Sequence, residues 1–164
     1  MNTGQTLLTL GAMILLSLLI LRTRNSFLST STVMMNSKFS ILATSLAQSE
    51  IEEIKKKAFD ENSVTGPVSS VTDLTNANKL GPESGESYSN FNDVDDFNGY
   101  TTVDSTLPSA VFDIRCEVNY VNPDNPDAIS HSRTWSKNIT VYVTSPSMGD
   151  TVKVSSVFSY WVFR

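Results

Sequence analysis

The sequence predicts an α+β fold in which one long N-terminal α-helix packs its C-terminal half on an antiparallel β-sheet of three or four strands. Three observations carry this expectation. No Gly or Pro interrupts the helical spacing from Ser26 to Phe59. The last third of the chain alternates apolar and polar residues with the period of a strand. The apolar stripe on the helix is the only available cover for one face of such a sheet.

The helix begins in a segment that carries no charged side chain from Met1 to Leu21. From Leu7 to Leu21 the run LLTLGAMILLSLLIL is almost wholly apolar. Each Leu or Ile near a helix centre favours insertion by roughly 0.3 to 0.6 kcal/mol, so this run supplies about 3 to 6 kcal/mol. Its span, at ~1.5 Å per residue, is about 25 to 30 Å and matches a bilayer core. Residues 5–25 are therefore read as a membrane-spanning helix, and residues 26–59 as its amphipathic continuation. In that continuation Phe39, Leu42, Ala43, Leu46, Ala47, Ile51, Ile54 and Ala58 share one face, with Thr44, Ser45, Ser49, Glu52 and Lys56 opposite. Glu52 with Lys56 and Glu53 with Lys57 are spaced as i, i+4 ion pairs. A helix from Gln5 to Phe59 would measure roughly 80 Å, more than a membrane requires.

Residues 60–106 are rich in Gly, Pro, Ser, Asn and Asp and read as an irregular acidic connection, part of which docks on the core through Phe91, Val94, Phe97 and Tyr100. Residues 107–164 read as the sheet. A first strand runs from Val111 to Val121, with Phe112, Ile114, Cys116, Val118 and Tyr120 on one face. Asn122 to Asp127 follows as a turn-rich loop, then a strand from Thr134 to Thr144 and a third from Thr151 to Phe163. Ser155-Ser156 shifts the phase of the third strand, as a bulge or twist would. Three consecutive strands with short links make a meander.

Two stretches carry a resemblance. Gly4-Gln5-Thr6-Leu7-Leu8-Thr9-Leu10 resembles the processing site of type IV pilins and pseudopilins, at which a prepilin peptidase cuts after the Gly. The resemblance implies a leader at residues 1–4, cleavage between Gly4 and Gln5, and a filament core packed through Leu7, Leu8, Thr9, Leu10, Gly11, Ala12, Ile14, Leu15, Ser17 and Leu18. Thr9 stands where that family usually has a Glu, and the leader lacks the usual Lys or Arg. The segment Asp93-Val94-Asp95-Asp96-Phe97-Asn98-Gly99 resembles one in minor pilins of the mannose-sensitive haemagglutinin type. A cleaved secretory signal and an ordinary membrane anchor are the alternative readings of the N-terminal run. Its first residues lack the basic side chain of a secretory signal; Arg22 and Arg24 after it would bias that flank toward the cytoplasm, which runs against pilin topology.

Charge narrows the function classes. The chain holds 17 Asp and Glu against 12 Lys and Arg, and every carboxylate lies from Glu50 onward. Such a chain is a poor match to nucleic acid, which needs clustered cations. Cys116 is the one cysteine and cannot form an internal disulfide; its strand position suits a small buried hydrophobe. No catalytic constellation surrounds the single histidine, His131, so an enzyme is not expected. Asn138-Ile139-Thr140 fits a glycosylation acceptor but falls inside a strand. Asp93, Asp95, Asp96 and Asn98 offer oxygens suited to Ca²⁺; the plainer reading is a turn in which the Asp side chains cap backbone amides.

The expected function is a structural subunit of a type IV pilus-like filament. It would sit single-pass in the inner membrane before assembly, and on the cell surface or in the periplasm afterwards. Its implied partners are further copies of itself in a helical filament, other pilins, a membrane assembly platform, the peptidase and the membrane. The alternative is a membrane-tethered pseudopilin or binding module that acts without forming a filament.

Overall fold

The computed structural model of the chain describes residues 2–108 and 110–161. It divides into two compact units, Met1–Lys38 and Phe39–Arg164. Helix α1 (Thr3–Ile54) supplies the described part of the first unit apart from Asn2, and one layer of the second. It is long and apolar enough to cross a membrane, and its most apolar window has a mean hydropathy of 2.0 with none of its residues buried.

In the second unit, α1 buries Phe39, Ala43, Ala47, Ile51 and Ile54, with Leu42 and Leu46 partly covered beside them. Spacings of four, four, four and three keep these residues on one face. That face meets one side of an antiparallel sheet formed by β1 (Thr101–Asp104), β2 (Phe112–Asn122), β4 (Ser136–Thr144) and β5 (Val152–Ser159), paired in that order. Strand β3 (Asn125–Ile129) folds back on the end of β2. Along β2 the pleat sends Phe112, Ile114, Cys116, Val118 and Tyr120 inward; along β4 it sends Ile139, Val141 and Val143 inward. One long N-terminal helix packed on an antiparallel sheet is a pilin-like architecture.

Four details differ from expectation. Helix α1 stops at Ile54 rather than Phe59, because the backbone of Ala58 is held by the acidic loop: its N–H donates to Asn92 O at 3.1 Å and its carbonyl accepts from Val94 N at 3.0 Å. That pairing removes Ala58 from any helical ladder. The expected i, i+4 pairs dissolve with it, since Glu53 accepts from the Tyr88 hydroxyl and Lys57 donates to Phe91 O. Asp60 then caps a four-residue helix, α2 (Glu61–Val64), in a reciprocal box with Ser63.

The sheet is also larger. Strand β1 lies within residues 60–106, and β3 uses Asn125 to Asp127 of the expected loop, its Pro126 tolerated because β3 pairs only with β2. No bulge interrupts β5: the register runs unbroken from Ser159 opposite Ser136 to Val152 opposite Val143. Ser156 takes the inward position and Val157 the exposed one, so the phase change lies in the sequence and not in the backbone. Phe163, the end of the expected strand, lies outside the described residues, as does Met1 of the leader.

Candidate functional site

Two regions gather the residues singled out in the sequence, one in each unit. In the first unit the positions expected to pack a filament core are exposed, among them Leu7, Leu8, Leu10, Ile14, Leu15 and Leu18. Gly4, Thr9, Gly11, Ala12 and Ser17 are exposed as well, and Gln5 shares their helix. A Cβ added at Gly4 or Gly11 would meet nothing within 4 Å. The hydroxyls of Thr9 and Ser17 donate to the carbonyls of Thr6 and Met13 at 2.9 and 2.8 Å, so their polar ends are spent on their own helix.

Exposure of large apolar side chains continues past the membrane-length run. Phe27, Leu28, Val33, Met34 and Met35 all lie beyond Arg22 and Arg24 and are all exposed, Phe27 at 77%. Met13, Ile20, Phe27 and Met34 recur every seven residues, which places them along one seam of the helix. The intervening seam positions are Leu16, Thr23, Thr30 and Ser37. Thr23 and Thr30 donate their hydroxyls to Ile20 O at 2.9 Å and Ser26 O at 3.0 Å, so their polar ends are taken up by their own helix.

In the second unit the acidic segment is buried. Asp93, Asp95 and Asp96 are all at most 1% exposed. Asp93 Oδ1 accepts from Asp95 N at 2.7 Å and Asp96 N at 3.2 Å, while Asp96 Oδ2 accepts from Asn92 N at 2.8 Å and Asp93 N at 3.2 Å. Each carboxylate thus caps the other's backbone, as the plainer reading of the loop expects. Asn98 is committed to main chain: its amide donates to Leu80 O at 2.9 Å, and its carbonyl accepts from Val118 N at 3.0 Å. Phe91, Phe97 and Tyr100 pack with Tyr88 into an aromatic cluster that docks the loop on the core.

Lys137, which the sequence reading passed over, organises this region. It is fully buried, and its Nζ donates to Asp95 Oδ1 at 2.6 Å, Asp60 Oδ2 at 2.9 Å and Phe59 O at 2.7 Å. The ammonium lies 4.4 Å from the Phe59 ring centroid and 5.0 Å from that of Tyr120, within cation–π range. The Tyr120 hydroxyl closes the network, its one proton shared between Asp60 Oδ2 at 3.1 Å and Thr75 O at 2.9 Å. A signal was present in the sequence: Lys137 falls in the inward phase of β4, in step with Trp135, Ile139, Val141 and Val143.

The electrostatics follow from burial and this one cation. Burial pushes Asp95 up to about 7 in spite of Lys137, and pushes Asp93 up to about 8 with help from Asp95 and Asp96. For Asp60, burial is outweighed by the charge and hydrogen bond of Lys137 together with the N–H groups of Thr75 and Asn62, so its carboxyl sits below the usual range. Burial raises Glu83 to about 7, reinforced by the Glu86 carboxyl beside it. Cys116 is buried against the helix and its thiol is pushed up to about 12, chiefly by desolvation. His131 is exposed, and Asn138 to Thr140 lies in the middle of β4 with strands paired on both sides.

No protein-family model, curated protein or solved structure matches this chain.

Proposed function

We propose that the chain is a structural subunit of a type IV pilus-like filament, assembled laterally through its N-terminal helix with further copies of itself. The observation that carries this reading is the exposed apolar surface beyond Arg22 and Arg24. A membrane anchor needs apolar cover only as far as about Leu21. Phe27, Leu28, Met34 and Met35 would otherwise face water in a soluble flank, a patch of the kind that marks an interaction surface.

The seven-residue period favours other helices as the cover. Along the seam formed by Met13, Leu16, Ile20, Thr23, Phe27, Thr30, Met34 and Ser37 there is no charged residue. Two cations flank it, Arg24 and Lys38, and both fall four residues after a large seam position. In a parallel pairing these would meet Leu19 and Val33 of the neighbouring copy rather than a like charge. With Thr9 in place of a Glu, association rests on packing rather than on an ion pair.

Phe27→Asp and Met34→Asp in the full chain test the proposal, because neither alters the run from Leu7 to Leu21. Membrane insertion should persist while filaments are lost. A tethered module acting as a monomer would show unchanged function with both variants, and that result would reject the filament reading.

A further inference from the structure

We propose that Lys137 and Asp95 condense to an intramolecular amide, with Asp60 carrying the proton, so that β4 and the acidic loop become covalently joined. Lys137 Nζ donates to Asp95 Oδ1 at 2.6 Å, to Asp60 Oδ2 at 2.9 Å and to Phe59 O at 2.7 Å, and none of Lys137, Asp95 and Asp60 is more than 1% exposed. The carbon to be attacked, Asp95 Cγ, is one bond beyond Oδ1. In water an acid and an amine remain ions and resist condensing; burial penalises both ions, and a held contact makes the encounter unimolecular. The rings of Phe59 and Tyr120, centred 4.4 and 5.0 Å from Nζ, wall the pair off from solvent.

Their surroundings give the two carboxyls different roles. Asp60 accepts from the N–H groups of Asn62 and Thr75 and from the hydroxyls of Thr75 and Tyr120, which together hold it as a carboxylate. Asp95 receives no backbone N–H among the described residues, and burial pushes its carboxyl up to about 7, so it readily becomes the neutral acid that an amine attacks. The two carboxyls stand within hydrogen-bond reach of each other.

Each of the three ammonium protons has a destination. One passes to Asp95, leaving a neutral amine and a neutral acid. Nζ then attacks Cγ, and Asp60 takes a second proton from the nitrogen and delivers it to the departing hydroxyl. The C–O bond breaks, one water leaves, nothing is oxidised or reduced, and Asp60 ends ionised as it began. The third proton stays on the new amide N–H, for which Phe59 O already stands as acceptor. The bond closes a loop between residues 42 apart in sequence, a staple in a chain whose one cysteine cannot form an internal disulfide. It stands independently of the filament proposal.

Intact-mass measurement and peptide mapping of the full chain, purified in detergent and held folded near neutral pH, test the bond. The chain, whichever residue it begins with, should weigh one water (~18 Da) less than its sequence, and the loss should map to a linked pair of peptides, one carrying Asp95 and the other Lys137. Lys137→Arg keeps the cation without the nucleophilic amine and should yield no linked pair. Asp60→Ser keeps an N-cap for α2 but removes the proton carrier, and should lower the linked fraction at least ~10-fold. Should either variant fail to fold, the map of the native chain decides alone. Recovery of Asp95 and Lys137 in separate peptides from the folded native chain would overturn the proposal. So would a link from Lys137 to Asp60 in place of Asp95, or an undiminished linked fraction in folded Asp60→Ser.

Discussion

Lys137 Nζ lies 2.6 Å from Asp95 Oδ1 and 2.9 Å from Asp60 Oδ2, joining β4 to the acidic loop and to the segment after α1 with no side chain of the three more than 2% exposed. Truncating one partner of such a buried network leaves the other charges uncompensated. Lys137→Met should destabilise the chain by about 3 to 5 kcal/mol, read from urea unfolding of the full chain in detergent. Stability within 1 kcal/mol of the native chain would mean that the ammonium is not what holds the loop.

The same cluster sets an expected pH profile for the chain before Lys137 and Asp95 condense. Asp60 has a lowered folded pKa, so its contribution is present above the unfolded value of about 3.9 and is lost as pH falls through the folded value. Asp95 has a raised folded pKa of about 7, so its contribution is full below the unfolded value and is lost as pH rises through 7. Melting temperature should therefore peak at mildly acidic pH and decline on both sides. Asp95→Asn should lessen the alkaline decline, the remainder of which belongs to Asp93 and Glu83, while leaving the acid limb.

A fragment beginning at Thr32 should be soluble and show both helix and strand by circular dichroism, because the buried face from Phe39 to Ile54 keeps its sheet. Within it, Ile51→Asp would place a carboxylate in the helix–sheet core and cost several kcal/mol. An unfolded fragment, or a harmless substitution, would refute the packing described above.

Cys116 should resist alkylation at pH 8 in the folded chain and react on denaturation, since its thiol is buried and pushed up to about 12. Rapid labelling of the native protein would show that the core opens there.

Much of this fold is legible in the sequence because it rests on period. The stripe from Phe39 to Ile54 and the alternation from Phe112 to Tyr120 each repeat often enough to fix a face, and those faces meet. What period does not encode is pairing between distant segments. Ala58 leaves the helix because Asn92 and Val94 claim its backbone, and β1 becomes a strand because Thr101 to Asp104 finds Phe112 to Arg115. Lys137 was legible in principle, as a charge in an apolar phase, but its carboxylate partners lie 77 and 42 residues away. The exposed seam through Phe27 and Met34 shows the opposite case, in which a clear period has no cover within the described residues.

Gly11→Leu separates packing between copies from packing within one. Since a Cβ there meets nothing within 4 Å, the larger side chain should leave insertion intact and yet yield few or malformed filaments. Wild-type filament yield would favour a tethered module.

The central claim is most directly tested by electron microscopy of material sheared from native cells, with intact-mass measurement of the chain it contains. The account predicts filaments built from this chain, whose subunits begin at Gln5 after removal of residues 1–4, and Gly4→Val should leave an uncut precursor in the membrane. A native chain found only in the membrane fraction, with no filaments containing it, would contradict the account.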